Sequence, residues 1–355
     1  MLECLRGSYN LGDSSDVPYG VTAIVDVRQS IHVDERLRSS FENMHVGYPM
    51  QTFERFLKAR EGNVAKANKM LLDCLNWRVN NNIDKILSRP ILPKERFDAI
   101  RESQLIGFSG FCKQGRPVFV YGVGPGGFDK APVDKYIKSH IQINEYRDRV
   151  LLPEASKRVG HYVGSCLKIL DMTGLKLSSL NRLKILTAIA TVDDLNYPEK
   201  TDAYYIVNAP YVFTACWKAV KPLLHERTKR KVQVLQGTGK HDLLKVIDIS
   251  SIPEFSQLPL NEPGRQKEAL LDFKKNYFSP SHPFHVKLWN YVQNQASIAR
   301  PPGLLPQPSI CVTIPEPDDK STEVVHLIES TLEQLAAAEK SDDLLNGRVA
   351  ETNGN

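Results

Sequence analysis

Hydrophobic and polar positions change their spacing along the chain, from a helical period to an alternation of strands and helices. Over Phe41–Asp98 the apolar residues recur at helical spacing, and Thr52 and Asn63 are the predicted N-caps. The apolar runs Leu105–Phe111 and Pro117–Tyr121 flank a glycine-containing turn, which predicts a hairpin. The first part is therefore predicted to be helical, and the next part to begin a sheet.

Beyond this hairpin, predicted strands are separated by predicted helices. The strands are Tyr162–Asp171, Tyr204–Asn208 and Lys231–Leu235. The helices are Pro132–Leu152, Leu177–Val192, Pro210–Lys221 and Asp242–Ile249. Strands joined by helical crossovers favour an α/β fold with a mostly parallel sheet that is covered on both faces.

Composition and periodicity divide the chain into five segments. They are a poorly structured segment at 1–40, a small helical N-terminal lobe at 41–100, the main domain at 101–258, a C-terminal extension at 259–340 and a disordered tail at 341–355. The two ends are polar and aperiodic, so no packed structure is predicted for them. The extension has two predicted helices, Pro283–Gln295 and Ser321–Lys340.

The helix predicted at Pro210–Lys221 is unusually apolar. Its few polar residues form one narrow stripe, and nearly every other position is hydrophobic. A helix with so wide an apolar surface needs something to cover it. An acidic turn at Tyr197–Lys200 precedes it and a basic cluster at Arg227–Lys231 follows it. Together these features suggest a site for an amphiphile with an anionic head.

The composition is that of a soluble globular protein, with 41% hydrophobic and 25% charged residues in 355. The net charge of +5 fits an attraction to anionic surfaces but does not separate lipid from nucleic acid. The six cysteines are scattered, which favours free thiols in a reducing compartment. The first residues lack the apolar core of a signal peptide, and no run approaches transmembrane length. A cytoplasmic protein with transient peripheral membrane association is expected.

Catalytic and metal motifs are not found in the sequence. The glycine loop at Gly122 departs from the dinucleotide fingerprint because Pro125 interrupts it and the next helix begins only near Pro132. The chain has no P-loop, no metal-binding histidine pair and no serine-hydrolase elbow. A structural role is expected for His140, and a capping or solvated role for the acidic pair that begins at Asp193. Neither an enzyme, a metal site nor a cofactor is predicted.

The basic cluster Arg227–Lys231 has three interpretations. It is a solvated loop, a nucleic-acid contact or an anion site. Aromatic residues are not interleaved with the cations as nucleic-acid stacking would require, so no nucleic acid is expected. Thr228 and Lys231 offer a hydroxyl and an ammonium group three residues apart, which suits a phosphate. In a parallel unit, Glu199 and Lys200 come near the same rim.

Several motifs, in order along residues 41–255, match a known family. They are Arg55-Phe-Leu-Lys-Ala-Arg60, Arg116-Pro-Val118, Leu170-Asp-Met-Thr-Gly174, Tyr197-Pro-Glu199, Tyr205-Ile-Val-Asn-Ala-Pro210 and Lys221-Pro222. The chain resembles the CRAL-TRIO lipid-binding family, specifically the secretory-fourteen-like phosphatidylinositol/phosphatidylcholine transfer proteins. The resemblance implies a small N-terminal helical lobe and a CRAL-TRIO lipid-binding domain at 101–258. That domain is expected to have a sheet floor, an apolar lipid cavity and a helical gate at Pro210–Lys221.

The resemblance also implies roles for individual residues. Thr228 and Lys231 fall where the family binds the inositol-lipid phosphate, Glu199 lies near the inositol ring, and Arg60 is linked to headgroup binding. With Lys200, these are the predicted headgroup-binding residues. The alternatives are that Arg60 bridges the lobes and that Glu199 pairs with Lys231. The predicted residues of the cavity or gate lining are Phe119, Tyr121, Cys166, Lys168, Val212, Phe213, Cys216, Trp217 and Val220.

Two positions on the strand before Asp171 depart from the family pattern. Members that bind phosphatidylcholine place Ser and Thr where Cys166 and Lys168 stand. A thiol is a poorer hydrogen-bond donor than a hydroxyl, and a cation there would oppose choline. An anionic lipid is therefore expected rather than phosphatidylcholine.

A third departure lies at the end of the resemblance. The Gly-Gly that commonly follows the last Leu-Pro of the family is absent after Leu258-Pro259.

The function predicted from the sequence is non-enzymatic phospholipid binding and transfer between cytosolic membrane faces. The expected cargo is phosphatidylinositol, the expected state is a monomer, and no cofactor is expected besides the bound phospholipid. Two alternatives share the fold: a carrier of a sterol or tocopherol-like molecule, and a membrane-recruited lipid-sensing scaffold whose C-terminal helices bind a protein. An oxidoreductase remains an alternative that depends only on the Gly122 loop.

Overall fold

The computed structural model describes residues 34–124, 126–176, 183–224, 226–253, 278–299, 312–314, 316 and 319–352. The predictions for residues 1–33, for the start of the helix at 177–182 and for Leu258-Pro259 lie outside the described residues. The chain forms two compact units, Met1–Asn80 and Asn81–Asn355.

Three helices make up the described part of the first unit. They are α1 (Glu35–His45), α2 (Pro49–Ala59) and α3 (Val64–Asn80). Their buried apolar residues form one core cluster of Phe41, Phe53, Phe56, Met70, Leu71, Cys74 and Leu75. The expectation of an unstructured segment up to residue 40 is wrong from Glu35 onward, because Asp34 caps α1 by accepting a hydrogen bond from the Arg36 amide (2.8 Å).

One of the two predicted caps is present. The Asn63 side chain accepts a hydrogen bond from the Lys66 amide (3.0 Å) and caps α3, as predicted. The prediction for Thr52 is wrong, because α2 begins at Pro49 and Thr52 lies inside it. Proline suits the first helical turn, since its missing N–H has no intrahelical acceptor there.

The second unit is built on a five-stranded sheet in the order β1-β2-β3-β4-β5. The strands are β1 (Ile106–Phe111), β2 (Pro117–Gly122), β3 (Cys166–Asp171), β4 (Thr201–Val207) and β5 (Val232–Val234). The first two form the predicted antiparallel hairpin, and the other neighbours are parallel. The predicted α/β fold with a mostly parallel sheet is thus confirmed.

Helices precede, separate and follow these strands in the chain. They are α4 (Lys94–Ser103), α5 (Val133–Tyr146), α6 (Leu152–Val159), α7 (Leu183–Asn196), α8 (Tyr211–Val220), α9 (Glu226–Lys231), α10 (Lys240–Val246), α11 (Pro283–Ile298) and α12 (Asp319–Thr352). A π-helical turn at Arg147–Leu151 joins α5 to α6.

Two segments have more helix than predicted. The basic cluster is not a loop, because α9 runs from Glu226 to Lys231 directly before β5. An acidic first turn and a basic last turn complement the helix dipole and favour this conformation. The tail after Lys340 was predicted to be disordered, but α12 continues to Thr352. Its alanine, leucine and glutamate content favours helix.

The loop at Gly122 is held against the sheet by backbone hydrogen bonds. The amides of Val123 and Gly124 both donate to the Asp171 carbonyl, at 2.9 and 3.1 Å. A Cβ atom at Gly124 would lie 2.1 Å from the Thr173 carbonyl oxygen. This close backbone contact requires a glycine at position 124.

The sheet has two different faces. One face packs against α10 in a core cluster that includes Val118, Val120, Leu167, Ile169, Tyr205, Val207, Leu243 and Ile247. The other face holds side chains that contact α7 and α11. Those side chains include Phe119 and Lys168, two of the residues that were predicted to line the cavity or gate.

Candidate functional site

Strand register brings the predicted cavity residues of β2 and β3 to one face of the sheet. Phe119 pairs with Lys168, and Tyr121 pairs with Leu170. Paired residues of parallel neighbours point to the same side, and so do alternate residues of one strand. Phe119, Tyr121, Cys166 and Lys168 therefore share a face, and Cys166 and Lys168 are 0% and 6% exposed.

Lys168 is a buried cation with a defined set of partners. Its Nζ lies 3.3 Å from Asp193 Oδ2, and 5.4 and 5.6 Å from the ring centroids of Tyr121 and Tyr204. Burial by itself lowers the pKa of Lys168, but Tyr121 and Asp193 outweigh it and hold this pKa well above the ordinary lysine value. The cation is therefore retained inside the domain.

Asp193 joins this lysine to helix α5. Its Oδ1 accepts a hydrogen bond from Asn144 Nδ2 (2.7 Å) and lies 2.7 Å from His140 Nε2. Burial raises the pKa of Asp193, but His140 and Lys168 lower this pKa by a larger amount. The pKa of Asp193 is therefore well below the ordinary value. The capping or solvated role expected for Asp193 is wrong. A lysine on a buried strand requires a nearby anion, and that requirement was the available sequence signal.

Lys200 is buried and forms an ion pair. Its Nζ lies 3.1 Å from Asp148 Oδ2, and Arg147 Nε donates to Asp148 Oδ1 at 2.7 Å. Burial lowers the pKa of Arg147, but Asp148 raises it more, so the Arg147 guanidinium stays charged. The structure therefore brings Lys200 to an interior ion pair, and its role in headgroup binding stays a prediction.

Glu199 meets two cations of α9. Its carboxylate lies 2.7 Å from Lys231 Nζ and 3.1 Å from Arg227 Nε. The residue has φ 59°, in the left-handed region that non-glycine residues seldom adopt. Thr228 lies between the two cations on α9 and is half-buried. The turn before β4 and the helix before β5 thus converge on one cluster, which we call the cationic cluster: Glu199, Arg227, Thr228 and Lys231.

Helix α8, the predicted gate, is only half-buried. Val212, Phe213, Cys216 and Trp217 all have intermediate exposure, while the following Val220 is 7% exposed. The rings of Phe213 and Trp217 are stacked, with centroids 6.3 Å apart and planes 10° from parallel. Burial raises the pKa of the Cys216 thiol, which keeps it in its neutral form. The helix therefore presents a row of large apolar groups next to the cationic cluster in the chain.

Arg60 lies in the first unit, as the C-cap of α2. Its Nη1 donates to the Ala59 carbonyl at 3.1 Å. The predicted role of Arg60 in headgroup binding stays a prediction.

The described part of the chain contains neither a group of metal-ligating residues nor a membrane-spanning helix. Within it, no three or more His, Cys, Asp or Glu residues are grouped so that they could hold a metal ion. None of its helices combines the length and the apolar character needed to cross a bilayer.

Comparison with curated proteins finds lipid-transfer proteins of plants among the relatives. The Arabidopsis thaliana phosphatidylinositol/phosphatidylcholine transfer protein SFH12 is 29% identical over 239 residues, which are 66% of this chain and 42% of the relative. SFH11, with the same description and organism, is 30% identical over 210 residues, 58% of this chain and 55% of the relative. A CRAL-TRIO domain-containing protein of Caenorhabditis elegans is 31% identical over 213 residues, 57% of this chain and 28% of the relative. The chain thus spans less than two thirds of each of these relatives.

A solved structure and a domain family define the fold. The crystal structure of Sfh5 matches with a TM-score of 0.51 at 15% identity, over 73% of this chain and 100% of that chain. At this identity the likeness shows the fold alone. The CRAL/TRIO domain family matches residues 101–256, which contain the whole sheet, the half-buried helix α8 and the cationic cluster. Residues 101–256 of this chain thus resemble the CRAL/TRIO domain family in sequence, and the described sheet lies within this matched segment.

Proposed function

We propose that this chain binds a phospholipid and transfers it between cytosolic membrane faces without chemical change, with phosphatidylinositol as the preferred cargo. One observation supports this most directly: the apolar helix α8 is followed by the cationic helix α9, whose Lys231 reaches Glu199. Relatives that are named phosphatidylinositol/phosphatidylcholine transfer proteins support the same class of function.

Exchange of such a cargo needs no energy source. Burying an acyl chain is worth about 0.8 kcal/mol per CH₂ relative to water, and a bilayer interior offers nearly the same stabilisation. The free energy of the lipid is therefore nearly the same in an apolar cavity of the protein as in the membrane. Helix α8 has to move for the lipid to leave, and exposing Phe213 and Trp217 to water is unfavourable. Opening is therefore expected at a membrane surface, where lipid covers these side chains.

Selectivity then depends on the headgroup. An ammonium group has three N–H donors, so Lys231 can keep its contact with Glu199 and still donate to a phosphate. Thr228 adds a hydroxyl donor on the same helix, and Arg227 adds a second positive charge. The carboxylate of Glu199 is an acceptor for hydroxyl groups of an inositol ring. The cationic cluster therefore suits a phosphate that has a polyol attached.

The surroundings of Lys168 support discrimination against phosphatidylcholine. Two aromatic rings and a carboxylate are the groups that recognise a quaternary ammonium ion. Here Tyr121, Tyr204 and Asp193 already surround the Lys168 ammonium. A choline group entering this position would meet a retained positive charge and would have to displace it.

Transfer of labelled phosphatidylinositol between vesicles tests the function. The wild-type chain is expected to transfer it, and Lys231→Ala and Thr228→Asp are expected to lose most of that activity. Lys240→Ala is the matched control, because Lys240 is an exposed cation on α10. It is expected to transfer at the wild-type rate.

Mass spectrometry of lipid that co-purifies with the wild-type chain identifies the cargo directly. Phosphatidylinositol is the expected species. A sterol or tocopherol-like molecule would replace the phospholipid assignment with another hydrophobic cargo. Failure of the wild-type chain to extract or transfer any lipid would refute the carrier function.

A further inference from the structure

The C-terminal helix α12 covers the predicted gate. It packs against α8, and it also contacts α7. Among the described elements, no other helix packs against α8 as extensively. Helix α12 begins at Asp319, well beyond residues 101–256 that match the CRAL/TRIO family. The cover over the gate is therefore contributed by a part of the chain outside the recognised domain.

The described first half of α12 is amphipathic. Its buried and half-buried apolar residues lie at helical spacing and are Val324, Val325, Leu327, Ile328, Leu332 and Leu335. Leu332 is 6% exposed, whereas its neighbours Ser330 and Glu333 are exposed. An apolar stripe on one side of a helix indicates burial against a neighbouring element. The contacts of α12 identify α8 and α7 as those elements.

Charge distinguishes α12 from the segment that follows the gate. Helix α12 has eight carboxylate residues and three lysine or arginine residues, so it is acidic over its length. Helix α9 has an excess of cations. An anionic bilayer attracts α9 and repels α12, because the surface potential of such a bilayer is negative. The same surface also offers an apolar environment for α8.

We propose that α12 is a strap that holds the gate helix closed in solution and leaves it at an anionic membrane. This inference rests on the proposed lipid-carrier function for its biological meaning. The strap and the bilayer compete for one apolar surface of α8, so only one of them covers it at a time. Release of cargo in solution is suppressed, and contact with an anionic membrane permits it.

Hydrogen–deuterium exchange of the gate amides, residues 211–220, tests the strap without any cargo. A chain ending at Asp318 and the point variant Leu332→Glu are expected to exchange about tenfold faster there, since loss of one buried leucine contact shifts a two-state equilibrium by roughly that factor. Ser330→Glu is the matched control, because it adds the same charge at an exposed position of α12. It is expected to exchange like the wild type.

A second measurement uses the wild-type chain alone. Vesicles of phosphatidylcholine with phosphatidylserine are expected to speed exchange in residues 322–338 severalfold, and vesicles of phosphatidylcholine alone are not. If the gate amides exchange equally in the wild type, the truncated chain and Leu332→Glu, α12 does not restrain the gate and the proposal is overturned. The proposal is also overturned if anionic vesicles leave the exchange of residues 322–338 unchanged, because α12 then stays on the gate at the membrane.

Transfer assays separate this inference from the proposed function. If the strap and the carrier function are both correct, the truncated chain and Leu332→Glu transfer labelled phosphatidylinositol about tenfold faster than the wild type and Ser330→Glu. The factor is the same because the equilibrium between closed and open gate shifts by the same amount. A different result is that the truncated chain and Leu332→Glu show faster hydrogen–deuterium exchange at the gate, while neither they nor the wild type transfer lipid. That result would support the strap and refute the carrier function. Circular dichroism of each variant verifies that the sheet domain is intact.

Discussion

The carboxylate of Glu199 lies 2.7 Å from the ammonium group of Lys231, which joins the turn before β4 to the helix before β5. The side chain of Glu199 is 16% exposed and that of Lys231 is 23% exposed. Arg227 reaches the same carboxylate. The pair is therefore accessible enough to meet a headgroup and is oriented by a backbone turn with positive φ.

Replacing Glu199 by alanine is expected to increase binding to anionic vesicles and to decrease phosphatidylinositol transfer. Without this carboxylate, Arg227 and Lys231 are unneutralised, so sedimentation with anionic vesicles increases at low salt and the increase disappears at high salt. Phosphatidylinositol transfer falls at the same time, because the acceptor for inositol hydroxyls is gone. The free energy of unfolding changes by less than about 1 kcal/mol, as for other partly exposed pairs. Parallel gains in vesicle binding and in transfer would contradict the role assigned to Glu199.

Replacing Lys168 by threonine is expected to allow phosphatidylcholine transfer. The substitution removes the ammonium from between Tyr121 and Tyr204 and adds a hydroxyl. It also leaves Asp193 without its lysine, which costs about 3 kcal/mol of stability. Vesicle transfer of labelled phosphatidylcholine and a urea denaturation curve measure the two effects.

Lys168→Met is the matched control for that experiment. It removes the same charge without providing a hydroxyl. Phosphatidylcholine transfer by both variants would assign the exclusion to the cation, and transfer by the threonine variant alone would assign it to the missing hydroxyl. Absence of transfer in both would show that Lys168 does not determine selectivity.

Stability is expected to rise with pH between about 8 and 10 because of Lys138. Burial lowers the pKa of Lys138 to about 8, and the nearby Lys135 and Arg89 add to this effect. Between that value and the ordinary lysine pKa, the unfolded chain holds a proton that the folded chain has lost. Unfolding therefore takes up a proton, and its free energy increases with pH, by up to roughly 3 kcal/mol at saturation.

Comparison of wild type with Lys138→Met isolates this contribution. Urea denaturation at pH 7, 8, 9 and 10 is expected to give a difference between the two proteins that narrows as the pH rises, with the methionine variant more stable at pH 7. Lys94→Met, at a largely exposed lysine on α4, is expected to leave the pH dependence unchanged. A constant difference between wild type and Lys138→Met would contradict the assignment.

Asp171 is expected to be a major contributor to stability at the ends of β3 and β4. Its carboxylate accepts from Thr173 Oγ1 (2.6 Å), from the Thr173 amide (3.1 Å) and from Asn208 Nδ2 (2.8 Å), and the residue is 1% exposed. Asp171→Ala leaves these donors unpaired and is expected to cost about 3 kcal/mol in chemical denaturation.

Asp202→Ala serves as its control. The Asp202 side chain is 46% exposed and lies 3.8 Å from Arg116, so its removal is expected to cost less than about 1 kcal/mol. If both substitutions lower the free energy of unfolding equally, the buried contacts of Asp171 stabilise the fold no more than the exposed ion pair of Asp202 does.

Local pattern was sufficient for most of the elements. The hairpin, the alternation of strands with helices and the apolar character of α8 all follow from the spacing of hydrophobic residues, which is a property of neighbouring positions. The errors have local causes as well. Thr52 was predicted to be a cap although Pro49 provides a better first turn, and the charged run of α9 was predicted to be a loop although lysine and arginine favour helix.

Neighbouring residues thus specify the order of strands and helices, the motifs of the family and the succession of apolar and cationic helices at the site. Three relationships came from the folded chain instead: Lys168 meets Asp193, Lys200 turns inward to Asp148, and α12 lies on α8. Lys168 and Asp193 are 25 residues apart in the chain, and Glu199 and Lys231 are 32 apart. Such contacts depend on how strands register and helices dock, and no local spacing of residues specifies them.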